Sequence, residues 1–276
     1  MKTLKRKVAF VTGGASGVGL AMVRSFLRAG MKVVAADVEA AALARLRTEF
    51  AGNNAFLALQ LDVTDRAAMA AAADATERAF GKVHVLCNNA GVAVFGRIDT
   101  QTYADWDWVL GVNLHGVVNG LQTFIERIKK HGEGGHIVNT ASIAGQSPLP
   151  GLTVYNASKY AVVGISETIR QELAPLNIGV SVLCPGGVST NIGTSQRNRP
   201  AALKRRRGDP RSLRGRRRLD PALRRAIDPA LVGDMVVDAL RNDDAYIFTH
   251  PELKSLVDAR FAKLDEGFAR WAAWQT

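Results

Sequence analysis

Of all the stretches in this chain, TGGASGVG (12–19) most narrows what it can fold into. Thr12 closes VAFVT (8–12), a short β-branched apolar run, and the loop leads into LAMVRSFLRAG, where apolar residues recur at helical spacing up to Gly30. The reading is strand, glycine turn, helix. Gly13 permits the sharp turn, Gly17 lets backbone approach a pyrophosphate, and Gly19 lets the helix lie close to the strand. Ser16 and Val18 stand where the first helical turn offers unpaired N–H groups to phosphates. Glycines also make ordinary turns, so the weight of this loop comes from its position straight after a strand.

The alternation continues along the chain. KVVAAD (32–37), AFLALQLD (55–62), VHVLCNNAG (83–91), GGHIVNTAS (134–142), IGVSVLCPGG (178–187) and AYIFT (245–249) read as further strands. Helices are predicted over VEAAALARLRTEF, over RAAMAAAADATERAF as far as Gly81, and over about 103–130, 153–173 and 230–240. Near-continuous apolar strands separated by helices need a parallel sheet covered on both faces. The predicted class is α/β, a doubly wound parallel sheet of Rossmann type with about seven strands, helices on both faces, and ligands beyond the carboxyl ends of the strands. Near the C-terminus, Leu253, Leu256, Val257, Phe261, Leu264, Phe268 and Trp271 fall on one helical stripe, expected to pack on the core or on a neighbouring subunit.

A length of 276 residues without an internal repeat or linker predicts one domain, 1–276. No apolar run approaches the ~20 residues of a membrane-spanning helix, and MKTLKRKVAFVTGG carries no signal-peptide cleavage pattern, so a cytoplasmic location and no membrane partner are expected. Cys87 and Cys184 each end an apolar run, which predicts buried thiols rather than a disulfide or metal framework. His115 and His136 lack acids or cysteines at useful spacing, so no metal site is expected. Trp106 and Trp108, two apart, cannot share a helical face, so one is assigned to core or interface.

Two carboxylates close strands beside the glycine loop. Asp37, followed by Val38, can accept both ribose hydroxyls of NAD and would repel a 2′-phosphate; it can equally cap the next helix. Nothing in the loop is basic and no Arg follows Asp37 directly, so the cofactor expected is NAD. Asp62, followed by Val63, can meet adenine or serve as turn chemistry before the helix. At the reactive end, Tyr155 and Lys159 in YNASK are i and i+4, on one face of a helix. A free tyrosine has a pKa of about 10, but a neighbouring ammonium and an oxidised nicotinamide both favour phenolate, a proton acceptor for alcohol oxidation. Ser142 can hold the substrate oxygen, and Asn113 can bind a water linking Lys159 to solvent.

TGGASGVG, Asp62, NNAG (88–91), Asn113, Ser142, YNASK (155–159) and PGGVST (185–190) occur in an order and spacing that resembles the short-chain dehydrogenase/reductase family over essentially the whole chain. The resemblance implies a catalytic tetrad of Asn113, Ser142, Tyr155 and Lys159. It places Asn89, Ala90 and Gly91 along the nicotinamide side of NAD, Val188 and Thr190 at the carboxamide, and Lys159 on the nicotinamide ribose. A homo-oligomer is also implied, a dimer or tetramer joined through the helices carrying Asn113 and Tyr155. GGHIVNTASIAG, NIGVSVLCPGGVSTNI, NRP (198–200) and VGDMVVDAL are similar to NAD-dependent Cα-dehydrogenases that oxidise benzylic alcohols of lignin-derived aryl ethers. The expected reaction interconverts a bulky secondary alcohol and its ketone; related members act on other bulky alcohols, including steroids.

The formal net charge of +11 is local. Thirteen of the 36 Lys and Arg but only two of the 25 Asp and Glu fall within 197–225, which leaves the rest of the chain neutral. By the resemblance this stretch belongs to the substrate lid, about 191–228. A cationic lid that draws in an anionic ligand, a divergent or corrupted insert, and a nucleic-acid contact are the competing readings. Against the last, no aromatic residue lies between Arg197 and Asp228 and no recognition helix is apparent. A non-catalytic NAD-sensing or nucleic-acid-binding protein is thus the rival from another class.

Overall fold

The computed structural model describes residues 1–204 and 225–274. Seven parallel strands form one sheet in the order β3-β2-β1-β4-β5-β6-β7: β1 (Val8–Thr12), β2 (Lys32–Asp37), β3 (Phe56–Gln60), β4 (Val85–Asn88), β5 (Gly135–Thr140), β6 (Ile178–Cys184) and β7 (Tyr246–Phe248). The helices are α1 (Gly17–Arg28), α2 (Ala40–Glu49), α3 (Arg66–Phe80), α4 (Tyr103–Leu110), α5 (Gly116–Lys130), α6 (Thr153–Leu173), α7 (Pro229–Asn242) and α8 (Lys254–Ala272). The doubly wound class expected from the sequence is the one observed.

Strand residues alternate between two apolar layers, as the pleat requires. Ala9, Val11, Val85 and Cys87 face α1, α2 and α7, whereas Phe10, Val34, Leu86 and Ile137 face α3, α5 and α6. Phe10 packs tilted against Phe124 of α5 with centroids 4.5 Å apart, and both are fully buried, each worth roughly 1.5–3 kcal/mol on folding. Gly233 of α7 lies so close to α1 that a Cβ there would sit 2.6 Å from Ala21 O, so the two helix backbones nearly touch. Both cysteines are buried free thiols, as expected.

Two elements depart from the expected pattern. The helix over about 103–130 is interrupted by a π-helical turn, Gly111–His115, which carries Asn113. The tryptophan pair behaves as expected: Trp108 is buried while Trp106 is partly exposed, in a third apolar cluster with Val92, Val94, Val109 and Val154. The second departure is α8, which fully buries none of its residues: Leu253, just before it, is buried, Leu256 and Val257 are partly covered, and Phe261, Phe268 and Trp271 are exposed. Beyond Leu253 the stripe is therefore not part of this chain's apolar core. No helix among the described residues is long and apolar enough to cross a membrane.

Candidate active site

Strand order reverses between β1 and β4, and the carboxyl ends of the strands there open into a cleft of about 390 Å³. Every site residue named from the sequence lines it except Gly19 and Asn113. Gly19 lies beneath the loop: a Cβ on it would fall 2.1 Å from Gly13 O and 2.5 Å from Asn89 Nδ2. Gly13 adopts φ +62°, a conformation that costs a side-chain-bearing residue free energy, and a Cβ there would sit 2.9 Å from Ala90 Cα. Thr12 stitches the two halves of the sheet at this point. Its Oγ1 accepts from Asn89 N at 2.9 Å and Ala90 N at 3.1 Å, which holds Asn89, Ala90 and Gly91 against the glycine loop.

Asp37 is 7% exposed. Its Oδ2 accepts from Ala15 N at 3.0 Å, tying β2 to the glycine loop, and its Oδ1 accepts from Glu39 N at 3.0 Å. The residue capping α2 is Glu39, so Asp37 is not itself the helix cap. Burial raises the Asp37 carboxyl above its ordinary value, opposed by those backbone N–H groups. Asp62 is exposed, lines the cleft, and accepts from Thr64 N and Oγ1, so its turn chemistry is realised at the cleft wall.

Ser142, Tyr155 and Lys159 converge at the other end. Ser142 stands just beyond β5, where its Oγ accepts from Ala144 N at 3.1 Å. α6 carries Tyr155 and Lys159 on one face, with Lys159 Nζ 5.5 Å from the Tyr155 ring centroid. That ammonium donates to Thr140 O at 2.7 Å. Burial pushes the Tyr155 phenol up to about 12, with a hydrogen bond to Ser142 pulling the other way, and pushes Lys159 down to about 8. The phenol's direction is thus opposite to the lowering expected from its lysine neighbour, because desolvation is its largest influence in this chain.

Asn113 is fully buried within the π-helical turn. Its Oδ1 accepts from Val92 N at 2.8 Å, and its Nδ2 donates to Val92 O at 3.0 Å and to Ser158 Oγ at 3.1 Å. The side chain thereby braces the segment after β4 against α6, one residue from Lys159. π turns of this kind often mark functional sites.

Sequence reasoning missed most of what closes the cleft, because the partners are far apart in the chain. Arg197 and Asn198 reach Glu39 beside β2, Ser195 Oγ donates to Ala93 O at 3.1 Å and accepts from Ala93 N, and Arg199 pairs with Asp105 of α4. The sequence marks NRP (198–200) by likeness and Arg197 and Arg199 by charge, but neither signal names the partners these residues reach. The first part of the predicted lid, 191–204, consists of short 3₁₀ turns held by these bonds, and Ile227 N donates to Gly187 O at 3.0 Å where the chain returns toward α7. Most of the Arg-rich stretch lies outside the described residues. At the amino ends of the strands, His84, His131 and Glu133 also gather, but Glu133 pairs with Lys7 and Lys82 and the ring nitrogens have backbone or carboxylate partners.

Comparison with known proteins fits this geometry. The family model described as short chain dehydrogenase matches residues 7–201. A C alpha-dehydrogenase of Sphingobium sp. strain SYK-6 is 36% identical over 273 residues, 98% of this chain and 88% of the relative. A short chain dehydrogenase/reductase of Burkholderia phymatum, solved in complex with NAD, superposes with a TM-score of 0.89 at 36% identity over 97% of both chains. The apo form of LigO from the same Sphingobium strain gives 0.82 at 39% identity, over 99% of this chain and 92% of that one. Agreement of motif order, sheet order and full-length superposition leaves one assignment: the chain belongs to the short-chain dehydrogenase family.

Proposed function

We propose that this oxidoreductase uses NAD to interconvert a bulky secondary alcohol, of benzylic type, with its ketone. The observation that carries the reading is that one cleft holds the glycine loop and Asp37 at one end and Ser142, Tyr155 and Lys159 at the other. The residues fit a dinucleotide. The loop has no room for Cβ atoms at Gly13 and Gly19, α1 begins at Gly17 with no side-chain cap bond at Ser16, and each Asp37 oxygen, holding one N–H, keeps a lone pair for a ribose hydroxyl. Asp37 places a carboxylate where a 2′-phosphate would be repelled, while the neighbouring Glu39 is already paired with Arg197. The NAD complex of the Burkholderia relative supports the same choice, and the name of the Sphingobium relative, C alpha-dehydrogenase, supports a carbinol substrate.

Gly13, Ser16, Gly17 and Val18 would hold the pyrophosphate, Asp37 and Val38 the ribose, and Asp62 and Val63 the adenine. Asn89, Ala90, Gly91, Val188 and Thr190 would border the nicotinamide. Bound there, NAD would supply a hydride acceptor for the carbinol carbon and a positive ring charge. Tyr155 takes the hydroxyl proton as the carbon–oxygen double bond forms, and returns it when a ketone is reduced. Ser142 holds the substrate oxygen, Lys159 favours the phenolate and binds ribose, and Asn113, braced on Val92 and Ser158, would hold a water in the proton relay from Lys159 to solvent. The lid spans about 191–228 of a single domain. A cytoplasmic homo-oligomer, dimer or tetramer, belongs to this reading: Ile125 of α5 and Ile165 and Ile169 of α6 stay only partly covered.

Purified protein offered NAD or NADP with aryl, steroid and aliphatic secondary alcohols tests the reading. NADH formation fastest with bulky aryl alcohols is expected; a protein that binds NAD yet oxidises none of them contradicts it.

A further inference from the structure

Beside the substrate end of the cleft, the lid is tied down by a buried pair of opposite charges. The Arg199 side chain is 1% exposed and that of Asp105 is 0%, with Nη1 2.6 Å from Oδ1. The Arg199 guanidinium lies 5.1 Å from the Trp108 ring centroid, and its Nε donates to Leu203 O at 2.6 Å. Asp105 is fixed in turn: its Oδ2 accepts from Thr102 N at 2.8 Å and Thr102 Oγ1 at 2.9 Å, in the capping box that starts α4. Trp108 and Leu203 line the same cleft as Ser142 and Tyr155. One guanidinium therefore joins the start of α4, an indole wall and the lid backbone.

Stability alone gives little reason for such a pair. Taking both charges out of water costs several kcal/mol per ion by general estimates, and apolar residues of similar volume often hold such a cluster at least as well. Arg199 Nη2 is moreover buried without a hydrogen-bond partner, a further cost. What the pair supplies is geometry. The planar fork sets the spacing between Asp105, Leu203 and the Trp108 face, which a lysine's single ammonium cannot do.

We propose that Arg199 is a positioning residue which, through Asp105 and Trp108, sets the shape of the substrate end and so the preference for bulky over compact alcohols. This rests on the reaction proposed above.

The test compares the wild type with Arg199→Met, with the double variant Arg199→Met/Asp105→Asn, and with Arg199→Lys. The double variant removes both charges while an asparagine oxygen still accepts from Thr102, and the lysine variant keeps the charge, so a folded protein is available if Arg199→Met alone does not fold. Initial rates with NAD are measured for one aryl and one compact aliphatic alcohol, NAD affinity by titration, and aryl-ketone affinity by calorimetry on the NADH-bound protein. For the folded variants we expect the aryl KM and the ketone Kd to rise about tenfold, less for the lysine variant, with kcat, the compact alcohol's KM and NAD affinity within about threefold. A lower melting temperature with unchanged aryl KM, ketone Kd and selectivity would overturn the proposal. A wild type that binds the ketone but oxidises no alcohol overturns the reaction instead, and the ketone titration still decides the role of Arg199. Failure of the wild type to bind the ketone overturns both.

Discussion

Tyr155 and Lys159 are pushed in opposite directions by the same burial, the phenol up to about 12 and the ammonium down to about 8. A raised phenol is mostly protonated near neutrality, the form that donates to a ketone, whereas alcohol oxidation needs the phenolate. Initial oxidation rates should therefore climb as pH rises toward the tyrosine's range, and ketone reduction should fall over the same interval. Rate–pH profiles in both directions check this; an oxidation rate that is flat or declines with rising alkalinity would remove Tyr155 as the base. The pairing of Tyr155 with Lys159 was legible because i and i+4 spacing fixes a shared helical face. Its electrostatics were not, since spacing carries no information on how far water is excluded. Asp37 behaves similarly: its place at the end of β2 was readable, but its bond to Ala15 joins residues 22 apart in sequence.

At the scale of elements, α1 and α7 depend on Gly233, where a Cβ would also lie 2.7 Å from Ser25 Oγ. Because both close atoms belong to a packed helix, Gly233→Ala should cost about 1–3 kcal/mol and lower the unfolding midpoint without changing NAD affinity. Chemical denaturation with a parallel NAD titration measures both; an unchanged midpoint would mean that α1 and α7 separate freely. Strands and most helices were readable because apolar runs, helical periodicity and stops such as Gly81 are local signals. The π turn at Gly111–His115 escaped because one extra residue per turn hardly alters the spacing of apolar residues. The apolar stripe of α8 was read correctly as a stripe, yet periodicity cannot say what it faces; here Phe268 is 78% exposed and Trp271 59%. Lid contacts were hidden for another reason, since Arg199 and Asp105 are 94 residues apart and Arg197 and Glu39 158.

Across the whole molecule, a seven-stranded sheet supplies a rigid floor, and segments from β1, β2, β4, β5, β6 and α6 converge on one cleft at its carboxyl edge. The charge excess is confined to residues 197–225, while the rest of the chain is neutral overall. Chemistry and cofactor binding are therefore assigned to the sheet edge, and choice of substrate to the lid and α4. The most direct measurement follows a label. An aryl secondary alcohol bearing deuterium on the carbinol carbon is incubated with the protein and NAD, and the reduced nicotinamide is recovered for mass analysis. The account predicts deuterium in the reduced nicotinamide together with the matching ketone, and loss of both by about 10²-fold or more in Tyr155→Phe with NAD binding retained. Unlabelled nicotinamide from a protein that binds NAD, or a Tyr155→Phe variant as fast as the wild type, would contradict it.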